Sequence, residues 1–354
     1  MNVNLYKKSL DFVGSRVDDL FLSIPNVLKT VKPARAITPE AYARQIDYYV
    51  ANGWVKNPER FFALPDLRPE YRVESEVPFV DGLRQIITFD SAYECRNPLI
   101  RDRFASFENN RQGYLVRWTH GDRNRKTLLC LHGYLLGEPR QAERMFRIHK
   151  LFAMGLDIAL FITPFHWRRA PKVRVQRGIF LQPDDVVMTL ESFGQAMHDL
   201  QLATLILSDC GASEIGLIGA SLGGYIAALF SCLSDTPVFA ALVVPALQLD
   251  KPMSPDSVRL SFRPDAELQQ KINTIWRLHS PLNFSPKIPG ENILVIASRG
   301  DRLCPFAHVE MLREKWGLPR FRFMTGGHWL VFNAAARGKA WYAFLNEMGF
   351  ATAR

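Results

Sequence analysis

The segment Gly219-Ala220-Ser221-Leu222-Gly223 follows the apolar run Glu214-Ile-Gly-Leu-Ile-Gly and precedes Gly224-Tyr-Ile-Ala-Ala-Leu-Phe. The first run reads as a buried strand and the second as a helix, so Ser221 stands on a tight strand-to-helix turn. Such a turn forces the serine backbone into a strained conformation, which small neighbours tolerate, and lifts the hydroxyl clear of the C-terminal edge of the sheet. That placement suits nucleophilic attack. The helix after the turn points its positive end at the reacting centre, where the Leu222 N–H can meet a developing oxyanion. An inert turn serine is the alternative; the strand, the helix and Gly224 weigh against it.

A serine hydroxyl is a poor nucleophile near neutral pH and needs an adjacent base. His328 lies in Met324-Thr-Gly-Gly-His328-Trp, just past the final β-like run, and two glycines there leave a loop free to swing an imidazole over the sheet edge. His279 and His308 lack that strand-end placement. The imidazole needs a buried carboxylate to fix its tautomer and steady its charged form. Asp301 follows Ile293-Leu-Val-Ile-Ala-Ser-Arg-Gly and opens a turn into a helix; Asp250, after the preceding strand region, is the alternative acid. His132-Gly133-Tyr134 follows the strand Leu128-Leu-Cys-Leu, and the Tyr134 N–H is the expected second oxyanion donor. His132 itself reads as structural, holding that loop.

These residues require a sheet to carry them. From about residue 83 short β-rich runs (84–89, 114–118 and the strand from Lys126) give way to an alternation of strands and helices. Strands are expected at 157–163, 214–220, 239–244, 292–297 and 320–324, and helices at 140–154, 184–209, 222–234, 306–316 and 333–348. Such alternation implies a mostly parallel sheet with helices on both faces. Residues 249–284, with Pro252, Pro255, Pro264 and a helix over 268–278, break the rhythm and read as a cap. Residues 1–80, punctuated by six prolines, read as a helical N-terminal extension packed on the core, with the main domain over 81–354. Its first helix is expected to place Leu5, Leu10, Phe12, Val13, Val17, Leu20 and Phe21 against that domain, with a membrane surface, near Lys7, Lys8 and Arg16, as the alternative.

Taken in order, LHGY, GASLGG, RGDRLCP and TGGHW resemble the α/β-hydrolase superfamily of the serine esterase and lipase type, over roughly residues 84 to 350. The resemblance implies an eight-stranded-type, mostly parallel sheet and acyl transfer to water through a serine-bound intermediate. In those roles Ser221 attacks, His328 shuttles the proton, Asp301 orients His328, and the Leu222 and Tyr134 amides hold the oxyanion. The long N-terminal extension departs from the minimal pattern of that superfamily.

The segment Thr163-Pro-Phe-His166-Trp167-Arg168-Arg169-Ala-Pro171 ends a strand on the same edge as these residues. Arg168 and Arg169 are candidates to bind a phosphate or carboxylate of the substrate beside an apolar wall from Trp167, with a loop braced by surface salt bridges or carbonyl contacts as the alternative. The expected substrate is a small-molecule carboxylic ester, lipid-like or anionic. Thioester or peptide hydrolysis by the same residues, and a non-catalytic binding protein of this fold, are the competing readings.

Composition narrows the rest. Lys and Arg number 44 against 35 Asp and Glu, a formal charge of +9 that favours anionic partners, peripheral contact with phospholipid included. The basic residues are scattered and form no nucleic-acid-binding signature. Five widely spaced cysteines fit a reduced, metal-free cytoplasmic protein. No secretory signal or membrane-spanning run is visible. The glycines form a turn rather than a phosphate cradle, so no cofactor is expected. Oligomeric state is not encoded in any pattern found.

Overall fold

The computed structural model describes residues 3–23, 37–172, 179–182, 185–247 and 262–351. Nine strands form one sheet: β1 (Tyr71–Phe79), β2 (Gly82–Asp90), β3 (Gln112–Thr119), β4 (Arg125–Leu131), β5 (Asp157–Phe161), β6 (Ala212–Ala220), β7 (Pro237–Val243), β8 (Ile293–Ser298) and β9 (Arg320–Met324). Their spatial order is β1-β2-β3-β5-β4-β6-β7-β8-β9. Strands β5, β4, β6, β7, β8 and β9 are parallel, and β3, β2 and β1 extend them as an antiparallel meander.

The central parallel strands are buried over most of their length and read as apolar runs because helices cover both faces, whereas edge strand β9 buries only Met324. Successive side chains alternate between the two layers. Leu129, Leu131, Leu217, Leu242 and Val295 face one side, where they meet α6 (Val186–Asp209), α7 (Leu222–Leu233), α8 (Ala266–Trp276) and α9 (Phe306–Trp316). Leu128, Cys130, Leu160, Ile218 and Ile296 face the other. There they pack on α4 (Pro139–Met145), α5 (Ile148–Ala153) and α10 (Ala334–Glu347). Every residue of α7 is buried, as expected of a helix apolar on all sides.

Three expectations change. Residues 71–79 belong to the sheet as edge strand β1, although they fall in the segment expected to be helical. Their exposed charges hid the strand, since only Phe79 of β1 is buried and an edge strand needs no apolar run. The helix expected over 140–154 is two helices, broken where Arg147 takes a left-handed φ of 54°.

The third change concerns α1 (Val3–Ser23). It packs through Gly14, Ser15 and Asp18, while Phe12, Val13 and Leu20 are exposed, the reverse of the expected apolar contact face. Helix α2 (Pro39–Ala51) behaves conventionally, capped by the Thr38 hydroxyl and burying Tyr42, Ile46 and Tyr49. Short helix α3 (Arg101–Ala105) precedes β3. The cap expected at 249–284 lies in part outside the described residues, as does Asp250. Its described remainder includes α8, packed in the main core. Among the described residues no helix is long and apolar enough to cross a membrane.

Candidate active site

Strand β6 ends at Ala220 and α7 begins at Leu222, so Ser221 alone makes the turn. Its φ of 56° and ψ of −115° lie where a side chain is disfavoured, a strain of about 1–3 kcal/mol. Hydrogen bonds hold it there. Ser221 N–H donates to the Val243 carbonyl (2.9 Å), and the Ser221 carbonyl accepts from Tyr225 N–H (3.1 Å) and Ala246 N–H (3.2 Å). Lack of space fixes the flanking glycines. A Cβ on Gly219 would stand 2.1 Å from the Gly223 carbonyl oxygen, and one on Gly223 would stand 1.9 Å from that of Leu131.

The loops at the same edge bring in the other groups. His328 Nδ1 lies 2.8 Å from Asp301 Oδ2, with the two side chains 6% and 1% exposed. A carboxylate only accepts, so Nδ1 carries the hydrogen and the Nε2 lone pair is left for a proton. Asp301 Oδ1 accepts from Leu303 N–H (2.9 Å) and Cys304 N–H (2.6 Å), which locks the carboxylate on its turn. The structure thus brings Asp301 and His328 together as expected.

Cys304 was not anticipated. Its sulfur is 4.0 Å from Ser221 Oγ, and donor atoms of Asp301, Cys304 and His328 lie within 4.8 Å of one another. Among the described residues no hydrogen bond joins Ser221 directly to His328, so a buried thiol neighbours both hydroxyl and imidazole. Such bonds often tighten only when substrate arrives. Burial opposes the charged imidazolium, but the Cys304 sulfur and the Asp301 carboxylate outweigh it and push the His328 pKa up to about 10. Burial raises the Cys304 pKa, and the facing His328 acts in the opposite direction, lowering it.

The β4 loop passes beside the serine. A Cβ on Gly133 would stand 3.7 Å from Ser221 Cβ, which puts the chain entering Tyr134 beside Ser221. His132 holds this loop. Its Nε2 accepts from Thr163 N–H (3.2 Å), so Nδ1–H donates to the Gly133 carbonyl (2.9 Å), and burial lowers its pKa to about 4, keeping it neutral. Leu222 opens α7, where an N–H has no intrahelical acceptor.

The basic loop divides. Arg169 is fully buried, donating to Asp199 (2.6 Å) and to the carbonyls of Ile162 (3.1 Å) and Asn110 (3.0 Å). Its charge is neutralised inside the fold, which corrects its candidacy as a substrate contact. Arg168 faces solvent, stacks over Trp167 with its guanidinium 4.7 Å from the ring centroid, and meets Glu74 of β1 at 2.7 Å.

Sequence reasoning also missed Asp11 and Asp18 of α1. Asp18 accepts from the backbone N–H groups of Arg302, His328 and Trp329, and Asp11 from that of Gly326. The signal was present: Asp11, Gly14, Ser15 and Asp18 share one helical face.

Comparison with known proteins bears on the fold. No family model matches the chain. An uncharacterized protein of Mycobacterium tuberculosis (strain CDC 1551 / Oshkosh) is 29% identical over 365 residues, covering 96% of this chain and 87% of that one. Among solved structures, an acetyl xylan esterase from Paenibacillus sp. R4 superposes with a TM-score of 0.58 at 15% identity, over 89% of this chain and 96% of the other. Acetyl xylan esterase 1 from Thermoanaerobacterium sp. JW/SL YS485 gives the same TM-score at 13% identity, over 88% and 99%. With a nine-stranded, mostly parallel sheet, helices on both faces and a strained serine turn at its edge, the chain has the α/β-hydrolase fold.

Proposed function

We propose that this protein is a serine hydrolase that cleaves a carboxylic ester through an acyl-enzyme. The observation that carries the reading is the strained Ser221 turn sharing one sheet edge with the 2.8 Å Asp301–His328 pair. A non-catalytic protein of this fold would have no use for the strain or for an oriented buried imidazole.

In the first half-reaction Ser221 Oγ attacks the ester carbonyl carbon as its proton passes to His328 Nε2. Asp301 holds Nδ1–H and stabilises the imidazolium formed. The carbonyl oxygen gains the negative charge and is met by the Leu222 and Tyr134 N–H groups, aided by the positive end of α7. Collapse breaks the ester C–O bond, and the imidazolium returns its proton to the departing alkoxide. Water then repeats the sequence on the acyl-serine, releasing the acid and restoring Ser221.

Labelling with a fluorophosphonate probe tests this. Native protein should label, and Ser221→Ala and His328→Ala should not. A native chain that fails to label and fails to hydrolyse p-nitrophenyl esters would overturn the assignment.

A further inference from the structure

We propose that α1 is a positioning element of the active site, with the Asp18 carboxylate holding the loops that carry Asp301 and His328 in mutual register. This rests on the hydrolase reading above.

Asp18 is fully buried, with its side chain among backbone N–H groups of the two loops. Oδ2 accepts from Arg302 N–H (3.0 Å), next to Asp301, and from His328 N–H (2.7 Å). Oδ1 accepts from Trp329 N–H (3.2 Å). One carboxylate therefore ties the residue after the acid to the base itself, across sequence separations of 284 and 310 residues. Asp11 adds a fourth bond, accepting from Gly326 N–H at 2.8 Å, and Gly300 N–H donates to the Gly326 carbonyl at 2.9 Å, linking the loops directly.

Close packing brings the helix within reach. A Cβ on Gly14 would stand 2.1 Å from Gly327 N, one on Gly300 2.3 Å from the Asp11 carbonyl oxygen, and one on Gly327 2.6 Å from Asp18 Oδ2. Gly327 thus serves contact with α1, while Gly326, at a φ of 120°, closes against the Leu330 carbonyl of its own loop, so neither leaves the loop freely swinging.

Burying a carboxylate is costly unless donors converge on it, and three do. A helix needed for packing alone would bury its apolar face. This one leaves Phe12 57% and Leu20 62% exposed and buries its polar face on the acid and base loops. The arrangement fits positioning. A base displaced by about 1 Å costs on the order of a hundredfold in rate, because Nε2 must come within hydrogen-bond reach of Ser221 Oγ.

Full-length Asp18→Asn and Gly14→Ala are the tests, with Phe12→Ser on the exposed face as control. Asn replaces one acceptor with an NH2 facing N–H donors; Ala pushes the helix off Gly327. Ester hydrolysis per active site, counted by fluorophosphonate titration, should fall about 10- to 100-fold in kcat for both variants, with KM within about twofold and the control unchanged. The far-downfield proton resonance of His328 Nδ1–H should shift or broaden in both. An unchanged resonance and native kcat per titrated site in folded variants would overturn the proposal, as would a mere loss of titratable protein with per-site rates intact. Should the native chain prove unreactive, the hydrolase reading fails alone, and the resonance still decides whether α1 sets the His328–Asp301 pair.

Discussion

Replacing Cys304 with alanine should move the pH dependence of catalysis. The sulfur is 4.0 Å from Ser221 Oγ and shares a 4.8 Å cluster with the His328 and Asp301 donor atoms, so it belongs to the electrostatic surroundings of the base. Burial works against the imidazolium, yet the sulfur and Asp301 together raise the His328 pKa from 6.5 to about 10. A general base must be neutral to accept the serine proton, so kcat/KM should climb with pH through that raised value. Deleting the sulfur removes one of the groups favouring the imidazolium, and the acid limb should shift to lower pH. While the midpoint stays above 7, each unit of that shift multiplies the neutral fraction at pH 7 about tenfold, equivalent to about 1.4 kcal/mol. The sign for stability runs the other way. A raised histidine pKa contributes stability that is fully present below pH 6.5 and lost as pH rises to about 10, so urea midpoints of the native chain should fall across that window and those of Cys304→Ala less. The assay is hydrolysis of p-nitrophenyl acetate across that range, normalised to fluorophosphonate-titrated sites. An acid limb that stays put or moves upward in a folded Cys304→Ala protein would refute the reasoning.

Asp301→Asn should leave binding intact and lower kcat by about 10⁴, because an amide NH2 at Oδ2 favours the wrong imidazole tautomer; a loss under tenfold would count against Asp301 as the acid. Arg169→Ala should destabilise the fold by about 3–5 kcal/mol in urea titrations by stranding buried Asp199. Arg168→Ala should raise KM for anionic esters and leave neutral esters unaffected; equal effects on both would remove Arg168 from substrate contact. Ser221→Gly should melt above Ser221→Ala, by about 1 kcal/mol at the midpoint, since glycine tolerates the φ of 56° and alanine retains the strain. Equal stability of the two would mean that the turn stores little energy.

The sequence by itself determined the central parallel strands and the chain order of Ser221, Asp301 and His328 on them. Fully buried parallel strands must be continuously apolar, so β4, β6, β7 and β8 are legible from their runs alone. The serine turn is legible from its local pattern, although only Gly219 is dictated by near neighbours, and Gly223 is dictated by the Leu131 carbonyl of β4. Edge strand β1 escaped notice because an exposed strand carries no burial pattern.

Only the tertiary structure decided how the groups are held. Arg168 and Arg169 are adjacent and chemically alike, yet one is in solvent and the other is sealed against Asp199, a difference set by which way a three-residue turn faces. Cys304 became part of the site because the α9 entry folds over Ser221, and spacing along the chain does not report that proximity. Helix α1 is the clearest case. Amphipathic patterning assumes that the apolar face packs inward, but Asp18 is stabilised by N–H groups from loops some three hundred residues away, so the polar face is the buried one. A buried charge is paid for by its partners, and only folding supplies those partners.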